Sequence, residues 1–135
     1  MNQLSDLILT KLLDSAKTAA SHAYCKYSNF PVGAALYTKD GRIFSGCNVE
    51  NISYGLTNCA ERSALFNAVS SGVKAGEILG LLFYMPGNKF YSPCGACRQV
   101  MAEFISQDTK IYASSDLDHM KSWKMKELLP EGFEF

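Results

Sequence analysis

The chain has 135 residues, 47% hydrophobic and 12% aromatic, enough for one domain with a buried core and without the composition of a disordered segment. Thirteen Lys and Arg residues balance thirteen Asp and Glu residues, and no Lys/Arg cluster exceeds two residues. That balance argues against a nucleic-acid partner and for a small, neutral one.

The predicted elements follow the apolar periodicity. Leu9, Leu12, Leu13, Ala16 and Ala20 recur on one face, predicting an amphipathic helix from about Asp6 to Ser21 with Ser5 as N-cap. Asp6, Lys11 and Asp14 interrupt the same stretch, so neither a secretory leader nor a membrane span is expected. YCKYSNFP reads as a loop and VGAALYT as a strand, joined through Asp40-Gly41 to a second strand, RIFSGCNVE. NISYGLTN is a loop. Ala60, Ala64, Leu65, Ala68 and Val69 then predict a helix from Cys59 to about Val69, ended by Ser70-Ser71-Gly72. EILGLLFYM suits a central strand covered on both faces. Pro93 opens a helix that turns Cys97, Val100, Met101 and Phe104 inward. KIYAS is a further strand, and WKMKELLPEGFEF a short helix with an irregular end. The order α-β-β-α-β-α-β-α indicates one α/β domain over residues 1–135, a three-layer α/β/α sandwich around a mixed sheet.

Five cysteines, an odd number irregularly spaced, suit a reducing cytoplasm better than a disulfide framework. Cys25 and Cys47 stand alone and read as structural. Cys59, Cys94 and Cys97 are different: each lies at a predicted helix start, where unpaired N–H groups and the helix dipole favour thiolates. Cys94 and Cys97 share a helical face, and Cys59 adds a third ligand from another helix. Closed structural zinc sites take four protein ligands, whereas three with a place for water is the catalytic arrangement. Cys59 and Glu61 cannot both face a metal beside a helix, but both can reach one lying off its N-terminal end. Glu61 is then placed to exchange protons with water, and Arg62 to donate to the thiolates from behind. A thioredoxin-type redox pair at CGAC competes with this reading, yet it leaves Cys59 and Glu61 without a role.

Cys-Ala-Glu followed by Pro-Cys-x-x-Cys matches the zinc deaminase signature. YCKYSNFPVGAAL, GCNVENISYG, NCAERSAL, SPCGACRQV and ELLPEGF together resemble, in order and spacing, the short homotetrameric cytidine deaminases over nearly the whole chain. Cysteine at position 59, where editing and deoxycytidylate enzymes usually carry histidine, favours the free-nucleoside branch. The resemblance implies a roughly five-stranded sheet and one Zn²⁺ per chain on Cys59, Cys94 and Cys97. It implies hydrolytic deamination of cytidine and 2′-deoxycytidine in pyrimidine salvage, with Glu61 as proton shuttle. Asn48 and Glu50 would hold the ribose 3′-hydroxyl, and Phe30 would pack on the pyrimidine. The Ala60 N–H would meet the base carbonyl, and Phe133 would stack over the base in a neighbouring subunit's site. Lys26 departs from the family, which commonly has proline there; that puts the rigidity of the loop before Phe30 in question. Deamination of another cytosine nucleoside, such as an antibiotic, is the alternative substrate.

Overall fold

Ser5 starts the first helix, α1 (Asp6–Ala20): its hydroxyl accepts from the Ile8 N–H at 3.3 Å, and Asp6 occupies the electropositive first turn. This computed structural model describes residues 4–116 and 120–133. β1 (Gly33–Thr38) and β2 (Ile43–Cys47) form an antiparallel hairpin whose turn holds Gly41 at φ 84°, a region that favours glycine. A short 3-10 turn (Tyr54–Leu56) precedes α2 (Ala60–Ser70) and β3 (Ile78–Tyr84). Then come α3 (Gly95–Phe104), β4 (Lys110–Ser114), β5 (Met120–Lys124) and α4 (Met125–Leu128).

The strands form one mixed sheet in the order β2-β1-β3-β4-β5, with β3 and β4 parallel and the other neighbours antiparallel. Successive side chains leave a strand on opposite faces, so the sheet feeds two cores. Ala35, Leu82 and Tyr112 meet Leu12 and Ala16 of α1 on one face. Leu36, Leu81, Phe83 and Ile111 meet Ala64 and Leu65 of α2 and Cys97 and Met101 of α3 on the other. Each fully buried leucine contributes about 1.5–3 kcal/mol to this packing. The result is the three-layer α/β/α arrangement.

Close helix–sheet contact depends on Gly33. A methyl group there would stand 1.8 Å from the Ala16 carbonyl oxygen, inside α1's backbone. Gly33→Ala therefore lowers stability by about 3 kcal/mol, read as the shift of a chemical denaturation midpoint at constant slope.

One predicted element is corrected. Trp123 and Lys124 belong to β5 rather than to the final helix, which begins at Met125. Trp123 stacks on Phe83 with centroids 6.5 Å apart, and five register pairs join β5 to β4. Cross-strand packing thus overrides a local sequence that carries no β-branched run. Lys121 and Lys124 suit a sheet edge, where charge discourages pairing with a second chain. Glu134 and Phe135, the last of the expected irregular end, lie outside the described residues.

Gly33 at the start of β1 pairs with Cys47 at the end of β2 and with Tyr84 at the end of β3. Three loops, 21–32, 48–59 and 85–94, therefore emerge at one end of the sheet, the end where open α/β sheets bind ligands. Among the described residues no helix is long and apolar enough to cross a membrane.

Candidate metal centre and active site

Cys59 and Cys94 are the N-cap residues of α2 and α3, and neither side chain caps the backbone N–H groups of its helix. Their sulfurs point off the helix ends, and Cys97 joins them from the first turn of α3. All three Sγ atoms lie within 4.8 Å of one another, with Cys59 and Cys94 at 3.8 Å. A tetrahedral zinc site with Zn–S bonds of about 2.3 Å sets its sulfurs about 3.8 Å apart, so the donor set fits that ion. Burial is graded: Cys97 is buried, Cys59 half-buried and Cys94 exposed, which leaves the cluster open on one side. Cys25 and Cys47 stand outside the cluster as half-buried free thiols.

Three sulfurs this close cannot all ionise without a cation. Hydrogen bonding from Cys97 pulls the Cys59 thiol down to about 5, and its bond with Cys59 drives Cys97 upward. Arg62, expected behind the thiolates, is there: its Nη2 donates to Cys59 Sγ at 3.3 Å, which holds the guanidinium firmly charged. Glu61 is only 5% exposed, and burial pushes its carboxyl up to about 7. A cation seated on the sulfurs acts in the opposite sense.

A cleft of about 290 Å³ opens beside the sulfurs. Phe30, Asn48, Glu50, Ala60 and Glu61 line it together with Cys59 and Cys94, so the structure gathers seven of the expected site residues. Ala60 is the first residue of α2, and its N–H precedes the reach of any intrahelical carbonyl.

Asn48 and Glu50 also build the loop that carries Phe30. Asn48 Oδ1 accepts from the Val32 N–H at 2.9 Å, and its amide donates to the Phe30 carbonyl at 3.0 Å. Glu50 accepts from the Tyr27 and Ser28 N–H groups at 3.0 and 3.1 Å, and from the Ser28 hydroxyl. The Ser28 hydroxyl bond, with the backbone bonds behind it, lowers the Glu50 carboxyl below its usual range. Ser28 Oγ accepts in turn from the Phe30 N–H, and Asn29 completes the bend at φ 55°. The loop is thus secured without a proline at position 26, where the Lys26 ammonium lies 5.3 Å from the Tyr27 ring centre.

Ser28 and Tyr91 are among the lining residues that escaped the sequence reading. Ser28 joins Glu50 to Phe30, and Tyr91 stands edge-on to Phe30 with centroids 6.1 Å apart. Only their place in the loops beside FP and SPC hinted at them. Of the three expected residues that do not line the cleft, Cys97 and Arg62 belong to the sulfur cluster beside it, and Phe133 lies elsewhere. It is 74% exposed and lines a separate groove between the end of α3 and the chain beyond α4.

The model of the "Cytidine and deoxycytidylate deaminase zinc-binding region" matches residues 8–113. A curated cytidine deaminase of Sporosarcina psychrophila is 46% identical over 123 residues, covering 91% of this chain and 89% of the relative. The crystal structure of cytidine deaminase from Burkholderia pseudomallei superposes with a TM-score of 0.89 at 42% identity, covering 96% of this chain and 100% of that one. The Mycobacterium tuberculosis cytidine deaminase structure gives 0.79 at 37% identity, covering 98% of this chain and 100% of that one. With its mixed sheet, its tri-thiol cluster and these relatives, the chain belongs to the zinc-binding cytidine and deoxycytidylate deaminase family.

Proposed function

We propose that the chain, as one domain over residues 1–135, hydrolyses cytidine and 2′-deoxycytidine to the uridine nucleosides and ammonia, serving pyrimidine salvage in the cytoplasm. The observation that carries this reading is Glu61, buried at the tip of α2 and lining the same cleft as Cys59 and Cys94. Zinc on the three thiolates supplies a Lewis acid that makes water nucleophilic near neutral pH. Glu61 accepts a proton from the water that attacks C4 and delivers it to ring N3. It then carries the second proton to the amino group, which leaves as ammonia. The Ala60 N–H donates to the base carbonyl, and Phe30 packs against the ring face. Arg62 keeps Cys59 ionised and oriented.

Hydrogen-bond capacity supports the sugar specificity. A carboxylate offers about four acceptor positions, and loop donors fill three on Glu50. Asn48 retains one N–H beyond its bond to Phe30. One acceptor and one donor suit a single hydroxyl, the ribose 3′-OH, and leave nothing for the 2′ position. Cytidine and 2′-deoxycytidine should thus react with kcat/KM values within about tenfold of each other, and 3′-deoxycytidine at least about 10²-fold more slowly. Uridine formation followed by absorbance tests both; no turnover of cytidine would remove the reading, and equal use of the 3′-deoxy analogue would remove the sugar assignment.

Phe133 reaches a neighbour's site in a homotetramer on this reading. Its exposure away from its own cleft supports that, as do exposed Ile52, Tyr54 and Leu56 in the 48–59 loop that carries Asn48 and Glu50. Phe133→Ala should raise KM roughly tenfold through loss of one aromatic contact. Mixing it with Glu61→Gln chains should restore sites of normal KM, because each chain supplies what the other lacks. A monomeric protein, or no restoration, would defeat the shared site.

A further inference from the structure

Arg98 follows the last thiol directly, and none of the chemistry above uses it. Its guanidinium makes three hydrogen bonds: Nε to the Pro93 carbonyl at 2.7 Å, Nη2 to the Ser92 hydroxyl at 2.7 Å, and Nη1 to the Leu128 carbonyl at 2.9 Å. The first two acceptors immediately precede Cys94. The third ends α4, where carbonyls lack intrahelical partners and a cation is favoured. One rigid, planar fork therefore fixes two segments remote in sequence.

This matters most for Cys94. It is the exposed thiol of the three, and its own side chain makes no cap bond. The Pro93 ring fixes φ on one side of that residue's α-carbon, and the Arg98 bond pins its carbonyl on the other. The peptide that carries Cys94 then has little freedom to turn. We propose that Arg98 is a positioning residue for the metal centre: by tying the Ser92-Pro93 peptide to the end of α4 it keeps the Cys94 sulfur aimed at the ion. The proposal rests on the reading of Cys94 as a zinc ligand.

Zinc release separates this from a merely structural role. The zinc-loaded full chain is challenged with excess chromophoric chelator, well below the unfolding midpoint of each variant. Arg98→Met should release zinc about tenfold faster than the parent. Arg98→Lys should release zinc nearly as fast as Arg98→Met, because an ammonium cannot span three acceptors in one plane. Ser92→Ala, which removes one bond of three, should show a smaller increase. In cobalt-loaded protein the d–d bands of Arg98→Met should shift or broaden relative to the parent. Release and cobalt bands unchanged in folded Arg98→Met would overturn the proposal, as would full rescue by Arg98→Lys. If Arg98→Met does not fold, parent-like release by both Arg98→Lys and Ser92→Ala overturns it. Failure of the parent chain to take up stoichiometric zinc would instead defeat the functional reading on which the proposal stands.

Discussion

Glu61→Gln lowers kcat for cytidine by about 10⁴-fold while zinc content and fold stay as they are. The two side chains have the same shape, so packing around α2 is preserved, and glutamine still fits the largely closed position that Glu61 occupies. What disappears is the group that gains and loses a proton. Cytosine deamination needs a proton at N3 as the ring is attacked and another on the departing nitrogen. An amide supplies neither. Glu61→Asp provides the matching control, since it retains the acid but withdraws it by one methylene; a partial loss of kcat is expected. Ammonia release, metal analysis and circular dichroism on the same preparations decide the matter. An amide variant that keeps a tenth of parental kcat would exclude Glu61 from proton transfer.

Cys97→Ala removes zinc and activity together and destabilises the chain as well. Cys97 is fully buried in the larger core, between the sheet and α2 and α3. Its loss leaves two sulfurs, too few to hold zinc with an open coordination position. It also opens a small void, worth about 1–2 kcal/mol. Metal binding to the folded chain adds stability by mass action, and that contribution is lost too. Cys94→Ala makes a useful pair with it. Cys94 is exposed, so its truncation should cost the metal and the activity without the packing penalty. Zinc per chain and denaturation midpoints of the two variants, with and without added zinc, separate ligand loss from core loss. Retention of one zinc per chain by Cys97→Ala would contradict the ligand assignment.

Much of this architecture was legible in the sequence for definite physical reasons. α1 announces itself by its apolar stripe and its serine cap, and the first hairpin by Asp-Gly between two apolar runs. The metal centre was legible because three thiols at helix starts, with a carboxyl group two residues along, make chemical sense around one ion. β5 was not legible: Trp123 becomes a strand residue through stacking on Phe83, a contact between segments 40 positions apart in the chain. The double use of Asn48 and Glu50 was hidden for a similar reason. Their partners are mostly backbone groups of the Phe30 loop, and backbone groups carry no residue signature. Arg98 likewise reads as an ordinary helix charge until the fold brings Leu128 to it.

The central claim is that one zinc ion on Cys59, Cys94 and Cys97, facing Glu61, is the reactive centre. Zinc titration into the metal-free chain, scored by uridine formation from cytidine, addresses it most directly. Activity should begin near zero, climb in proportion to added zinc and level off at one equivalent per chain. Full turnover by the chelator-stripped protein, or a plateau unrelated to one equivalent, would contradict the account.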